Sequence, residues 1–311
     1  MRKLIKFVLA IILLTVLGFT FTYQKEIINH VMVNYVYKKE IVTYDTNQYK
    51  RNSSFNYVQQ TEDFFPESEQ DILNIFYTIL NNGWNKFTFY CDEKYEKCLD
   101  DVQRIFNDQY IISNINNFVH PFNSYNRISI NYNNLGKVSI EIERLYNDNE
   151  ITAVNNKANE IYISIIKKNM TDREKILAIH DYIINKTSYD SERADIIKKN
   201  ISDYPFKYES HKAYGTLIQN MAICSGYSDA MAVFLNKMGI PNYKISSKDH
   251  VWNFVYLDDK WYHLDLTWDD PIVDTKEPIL IHNYFLITTT QLEKEINEQH
   301  IYPKDVYSES K

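Results

Sequence analysis

The pattern of apolar and polar positions divides the chain into three stretches. The first is an unbroken apolar run from Phe7 to Phe21 behind Arg2, Lys3 and Lys6. Counted from Leu4 to Tyr23, it has about the 20 residues that an α-helix needs to cross a bilayer. The basic flank is expected on the cytoplasmic side, with everything after Gln24 outside. Phe19-Thr20-Phe21-Thr22-Tyr23 offers no small-residue cleavage pattern, so residues 1–23 are expected to be an uncleaved anchor. No Cys closes the run, which argues against a lipoprotein.

Residues 24–60 are polar, rich in Tyr and Asn and weakly periodic, as in a stalk. In the second stretch, 61–150, Ile72, Ile75, Phe76, Ile79 and Leu80 follow helical spacing. Ser68 and Asp71 provide a cap for this helix and Gly83 a stop. Lys86–Tyr90 reads as a strand and Asp100–Phe106 as a helix. Arg127–Tyr132 and Val138–Arg144 flank Asn133-Asn134-Leu135-Gly136 as a hairpin. This region reads as a small α/β unit for support or recognition, without a catalytic motif.

The third stretch is 151–311. Helices are expected over 155–168 and from the capping box Thr171…Glu174 to about Asn185. His180 lies on the second, where a packed or exposed helical histidine is expected rather than a catalytic one. Residues 187–212 read as a polar connection. After Cys224, Tyr227, Met231, Phe234, Leu235 and Met238 mark one helical face that ends at Gly239 and Pro241. His250–Leu257 and Trp261–Leu266 are aromatic and β-branched runs around Asp258-Asp259, a hairpin signal.

Hydrophobic residues make up 44% of the 311 positions and charged residues 24%, which is globular rather than disordered. Removing Arg2, Lys3 and Lys6 takes the formal net charge from −7 to −10 for the outer part. That balance excludes a basic nucleic-acid binder. Of only six glycines, Gly215, Gly226 and Gly239 fall within 25 residues around Cys224, a sign of backbone constraint there. Gly226 is expected to keep the approach to the sulfur open. Cys91 and Cys98, seven positions apart, can pair across a short loop, which would leave Cys224 unpaired. Three unpaired buried cysteines remain the alternative.

The candidate chemistry lies between Ala213 and Pro271. Cys224 begins a helix, so the free N–H groups and the positive dipole end face its sulfur and favour a thiolate. His250 follows 26 residues later and Asp265 after a further 15. If the hairpin loop has two or four residues, Trp252 faces Asp265, and His250 is its diagonal neighbour on the same face, within side-chain reach. An odd loop would separate them. The roles would be nucleophile, base and orienter, with the Cys224 N–H as an oxyanion donor. Gln219 is a candidate second donor, with an ordinary exposed glutamine as the alternative. Trp252 and Trp268 are candidate walls of the site, with core packing equally able to explain them. His263 is expected to be structural. Asp269, Asp270 and Asp274 are expected to be solvated carboxylates, because no EF-hand spacing holds them. No His/Cys cluster has zinc-ligand spacing.

Tyr214-Gly215-Thr216-Leu217, Ile223-Cys224-Ser225-Gly226-Tyr227, His250-Val251-Trp252-Asn253 and Trp261-Tyr262-His263-Leu264-Asp265-Leu266-Thr267-Trp268-Asp269-Asp270-Pro271 resemble the core of the bacterial transglutaminase-like superfamily. The resemblance extends from Ile179-His180-Asp181-Tyr182 to Tyr284-Phe285-Leu286, roughly residues 150–300. It implies an α+β, papain-like catalytic domain and assigns the family's triad to Cys224, His250 and Asp265. Tyr214, Gln219 and Trp252 are the further substrate-binding or oxyanion candidates. The implied activity is acyl transfer from glutamine side chains or peptide bonds of a protein substrate through a thioester. A cysteine peptidase and a surface-interaction protein without catalysis are the alternatives. No cofactor, metal or nucleic-acid partner is expected.

Overall fold

A computed structural model describes residues 2–37, 44–92, 94–271, 280–295 and 297–310. The apolar run forms one helix, Arg2–Thr22. Its Ile5–Thr22 window has a mean hydropathy of 2.3 and buries nothing, so by length and composition it can cross a membrane. A short helix, Gln24–Val31, follows it. Within the segment expected as a stalk, Arg51, Phe55 and Val58 are buried, so the folded body begins before residue 60.

The Glu69–Asn82 helix forms as its spacing predicts. The Ser68 hydroxyl accepts from the Asp71 N–H, and Gly83 takes the left-handed conformation that ends it. β1 (Lys86–Tyr90), β2 (Tyr125–Tyr132) and β3 (Lys137–Arg144) form an antiparallel sheet in the order β1-β3-β2. Helices Cys98–Asn107 and Gln109–Asn117 pack beside it; the second was not expected. Cys91 and Cys98 are joined by a disulfide.

The helix expected over 155–168 runs from Asp148 to Ile165. It starts earlier because Asn147 and Glu150 form a capping box of their own. Thr171 and Glu174 cap the Asp172–Lys186 helix as expected. The connection after it holds β4 (Ser188–Tyr189) and a helix, Ser191–Lys198. β4 pairs in parallel with β5 (Met221–Ala222), immediately before the Cys224–Lys237 helix.

A second antiparallel sheet, β6 (Asn242–Ser246), β7 (Val251–Leu257) and β8 (Lys260–Leu264), carries the rest of the site. Successive strand residues face opposite sides of a sheet. Tyr243, Ile245, Trp252 and Phe254 join a core with Phe55, Ile75, Phe76 and Phe118 of the N-terminal region. Val255, Leu257 and Leu264 join a second core with Met231, Phe234 and Leu235 of the Cys224 helix and Ile176 and Ile179 of the Asp172–Lys186 helix. The N-terminal region therefore covers one face of the sheet and the cysteine helix the other. A buried ion pair, Lys244 Nζ to Asp229 Oδ1 at 2.6 Å, ties β6 to that helix. Asp229 Oδ2 accepts from the Tyr146 hydroxyl at 2.7 Å, so the pair is hydrogen-bonded beyond itself.

Candidate active site

Backbone packing sets the start of the cysteine helix. The Ile223 N–H donates to the Ser210 carbonyl at 2.8 Å. A Cβ on Gly226 would lie 2.2 Å from that same oxygen. Gly226 thus admits the 209–210 backbone; its role is close packing under the helix start rather than clearing the approach to the sulfur. Gly215 does the same beside it, where a Cβ would lie 2.3 Å from the Glu209 carbonyl. Cys224 is the first helical residue and half-buried, and its N–H lies outside the helical ladder.

The hairpin register brings the other two groups into place. Leu257 pairs with Lys260, so the loop is Asp258-Asp259, with φ of 51° and 60°. Two left-handed residues make the tight turn that matches strand twist. Pairing continues to Asn253 opposite Leu264, which sets Trp252 opposite Asp265. His250 and Asp265, just outside the paired ends, meet at 2.6 Å between Nε2 and Oδ2. With Nε2 engaged by Asp265, Nδ1 is the ring nitrogen left to face Cys224, which helps raise the imidazole.

Electrostatics follow from that line of contacts. Burial would push the His250 imidazolium down. The Asp265 carboxylate, its hydrogen bond and the contact with Cys224 outweigh it, and His250 is raised to about 10. Burial would likewise raise Asp265, but His250 and His300 hold it well below the usual carboxylate range. Asp265 Oδ1 accepts from the Thr267 and Trp268 N–H groups at 3.0 and 3.2 Å. Its Oδ2 faces both His250 and His300, the second at 2.9 Å. The Asp265 carboxylate thus has no lone pair without a partner direction, which fixes its own orientation towards His250.

His300, Tyr189 and Tyr227 were not among the sequence candidates. His300 lies 35 residues after Asp265 in a single 3-10 turn, Glu298–His300, where no periodicity marks it. Tyr189 is raised to about 12, chiefly by burial and to a lesser degree by Cys224, Asp190 and Asp195. The Tyr227 hydroxyl donates to Asp270.

The remaining candidates take varied positions. The Trp252 ring stacks on His250 at 5.6 Å and donates from Nε1 to His263 Nδ1 at 3.0 Å, so it is core beneath the imidazole. That bond makes Nε2 of neutral His263 a donor to Thr289, and burial lowers His263 to about 3. Trp268 packs half-buried against His300. Gln219 accepts the Glu209 N–H on Oε1 at 2.7 Å, an orientation that leaves its NH₂ as the donor. Tyr214 packs half-buried at the edge of the second core.

The acidic loop differs from expectation. Asp269 is fully buried rather than solvated, because its Oδ1 accepts from the Tyr284 N–H at 2.9 Å and its Oδ2 faces His180 Nε2 at 3.1 Å. Burial pushes Asp270 up to about 6, against the opposing Tyr227 hydrogen bond. Asp274 lies outside the described residues.

Comparison with known proteins places this geometry. Residues 159–266, which include Cys224, His250 and Asp265, match the family described as the transglutaminase-like superfamily. Over 149 residues the chain is 24% identical to kyphoscoliosis peptidase of Mus musculus, an alignment covering 42% of this chain and 21% of that protein. The chain thus spans about a fifth of the length of the curated relative it matches. Two solved structures are similar. A protein described as a TGase has 22% identity and a TM-score of 0.37, over 49% of this chain and 46% of that one. A protein from Cytophaga hutchinsonii described as a candidate cysteine protease has 14% identity and a TM-score of 0.26, over 45% and 61%.

Proposed function

Because residues 159–266 belong to the transglutaminase-like superfamily, we propose that the chain is a membrane-anchored thiol acyl-transfer enzyme. In this reading Cys224 is the nucleophile, His250 the acid–base and Asp265 the orienter. The observation that carries it is His250, bonded to Asp265 at 2.6 Å through Nε2, next to Cys224 at a helix start.

The chemistry has two halves. The Cys224 sulfur bonds to the carbonyl carbon of a glutamine side chain or peptide bond, and the C–N bond breaks. His250 gives its proton to the leaving nitrogen, so ammonia or an amine departs and a thioester remains. An amine or water then attacks the thioester and loses a proton to His250 as the thiolate leaves. The Cys224 N–H, with the Gln219 amide as second donor, would hold the oxyanion. Asp265 stabilises the imidazolium in both halves.

The outward placement rests on Arg2, Lys3 and Lys6 at the N-terminal end of the Arg2–Thr22 helix and on the Cys91–Cys98 disulfide. Disulfides persist in oxidising compartments. Hydrolysis is the second reading, favoured by the name of the mouse relative, a peptidase.

Incubating the full chain in detergent with a tagged primary amine and a glutamine-rich protein separates the readings. Covalent tagging that is lost in Cys224→Ala supports transfer, and Cys224-dependent fragments without tagging support hydrolysis. Neither product, with a thiol that alkylates normally, would sink the enzymatic reading.

A further inference from the structure

A second group of titratable side chains, away from the Cys224 line, is left unexplained by acyl chemistry. His180 Nδ1, Asp181 Oδ1 and His282 Nε2 all lie within 4.8 Å of one another. His180 and Asp181 are neighbours on the Asp172–Lys186 helix, and His282 comes from 101 residues further along. Adjacent helical positions do not face each other. Their meeting at 2.9 Å, with His282 at 2.8 Å from the same Asp181 oxygen, is therefore a built arrangement rather than a by-product of the helix.

The proton count makes this group unusual. A neutral imidazole has one N–H. His180 is fully buried between two carboxylates, with Asp269 Oδ2 at 3.1 Å from Nε2 and Asp181 Oδ1 at 2.9 Å from Nδ1. Asp269 is fixed in turn by the Tyr284 N–H. With Nε2–H donating to Asp269, the Nδ1 lone pair points at a carboxylate oxygen. A second positive centre, a proton or a metal ion, can lie there.

We propose that His180 Nδ1, Asp181 Oδ1 and His282 Nε2 bind one zinc-class divalent cation. Two imidazoles and a carboxylate suit such a cation, and three protein ligands leave a fourth position for solvent. Asp269 holds the far nitrogen of His180, as a carboxylate behind a ligating histidine does in zinc sites, fixing tautomer and ring direction. Ligands about 2.0–2.1 Å from zinc sit roughly 3.3 Å apart, so the two contacts to Asp181 would widen by about half an ångström in a group already within 4.8 Å. Asp181 and His282 are partly exposed, which gives the ion a way in. The ion would tie the helix to the segment whose Tyr284 carbonyl accepts the Asp265 N–H at 3.2 Å. It would thereby stiffen the backing of Asp265, and the site stands whether or not Cys224 reacts.

The test uses the full chain in detergent, stripped with a chelator, in a Cys224→Ala background so that the thiol cannot hold metal. Zn²⁺ is titrated in competition with a chromophoric chelator, and Tm is followed with and without zinc. One equivalent should bind and raise Tm. His282→Ala should lower the affinity at least about tenfold and lose the Tm rise, while its metal-free Tm matches the parent's. Asp181→Asn should weaken binding in the same direction. Absence of stoichiometric uptake would overturn the proposal and assign the second positive centre to a proton. Unchanged affinity in His282→Ala would also overturn it, as adventitious binding elsewhere.

Discussion

Two His–Asp–His groups lie in the same half of this molecule, each with a single carboxylate oxygen facing two imidazole nitrogens. In one, His250 and His300 both face Asp265 Oδ2, and all three residues are buried. In the other, His180 and His282 face Asp181 Oδ1, with only His180 buried. What lies behind each ring separates them. Behind His250 is a thiol, so its two nitrogens can donate to one carboxylate and serve one nucleophile. Behind His180 is a second carboxylate, Asp269, at 3.1 Å. On the two proposals made above, the same residue types would serve proton transfer in one place and hold a cation in the other, the difference being one neighbouring side chain.

The contrast can be broken most sharply at the carboxylates. Asp265→Asn should lower kcat/KM for thioester chemistry by about 10²–10⁴-fold, the range expected when an orienting aspartate is neutralised. Asp181→Asn should change it by less than about threefold. Comparable losses from both would mean that the two groups form one machine.

Acidity gives a second test. His250 is raised from its ordinary value of 6.5 to about 10, so the folded state prefers the protonated ring. That stabilisation is present in full below pH 6.5 and is lost as pH rises through 10. Asp265 is lowered, so its share of the same pairing is lost only as pH falls below the usual carboxylate range. Tm should therefore decline between pH 6.5 and 10 by the equivalent of a few kcal/mol. His250→Asn should flatten that decline, whereas His282→Ala should leave it in place. Parallel curves for parent and His250→Asn would remove the ion-pair description.

A smaller effect is expected at His300. Removing one charge-assisted hydrogen bond from Asp265 is worth about 1.5 kcal/mol or more, so His300→Ala should reduce kcat by roughly tenfold. A positioning role predicts that the pH profile shifts with kcat while KM holds, and that His300→Gln recovers part of the loss. If His300 only filled space, the profile would stay in place. The smallest change is expected for His282→Ala, with less than about threefold loss of activity in zinc-free buffer; a larger loss would draw His282 into the reaction itself.

The sequence revealed the first group far better than the second, for physical reasons. The helix that begins at Cys224 is written in apolar spacing and in its stop at Gly239-Ile240-Pro241. The hairpin needed only Asp258-Asp259, since both residues tolerate the left-handed backbone that a two-residue loop demands. Once that loop is even, the shared face of His250 and Asp265 follows. His300 could not be found in this way, because a lone 3-10 turn has no period and the contact depends on how the tail returns to the sheet. Asp181 and His282 are 101 positions apart, and only tertiary packing joins them. Asp269 reads as a loop acid because Asp269-Asp270-Pro271 is turn chemistry; its burial depends on the Tyr284 N–H and His180, which local patterning does not reveal. In the N-terminal region the capped helix and the hairpin were legible. The onset of the folded body before residue 60 was not, since Phe55 and Val58 are isolated apolar residues in a polar run.

The sheet that carries His250 has its other face covered by residues far outside the stretch that resembles known proteins. Tyr243, Ile245, Trp252 and Phe254 rest on Phe55, Ile75, Phe76 and Phe118. A fragment cut at the edges of family similarity would present those four side chains to water as one contiguous apolar surface, which invites association. It would also remove the support beneath Trp252, and with it the ring on which His250 stacks. The smallest unit expected to remain monomeric and hold the imidazole in place therefore starts before Arg51, a length that sedimentation of nested truncations can check. For this chain, the limit of recognisable ancestry and the limit of independent folding fall at different residues.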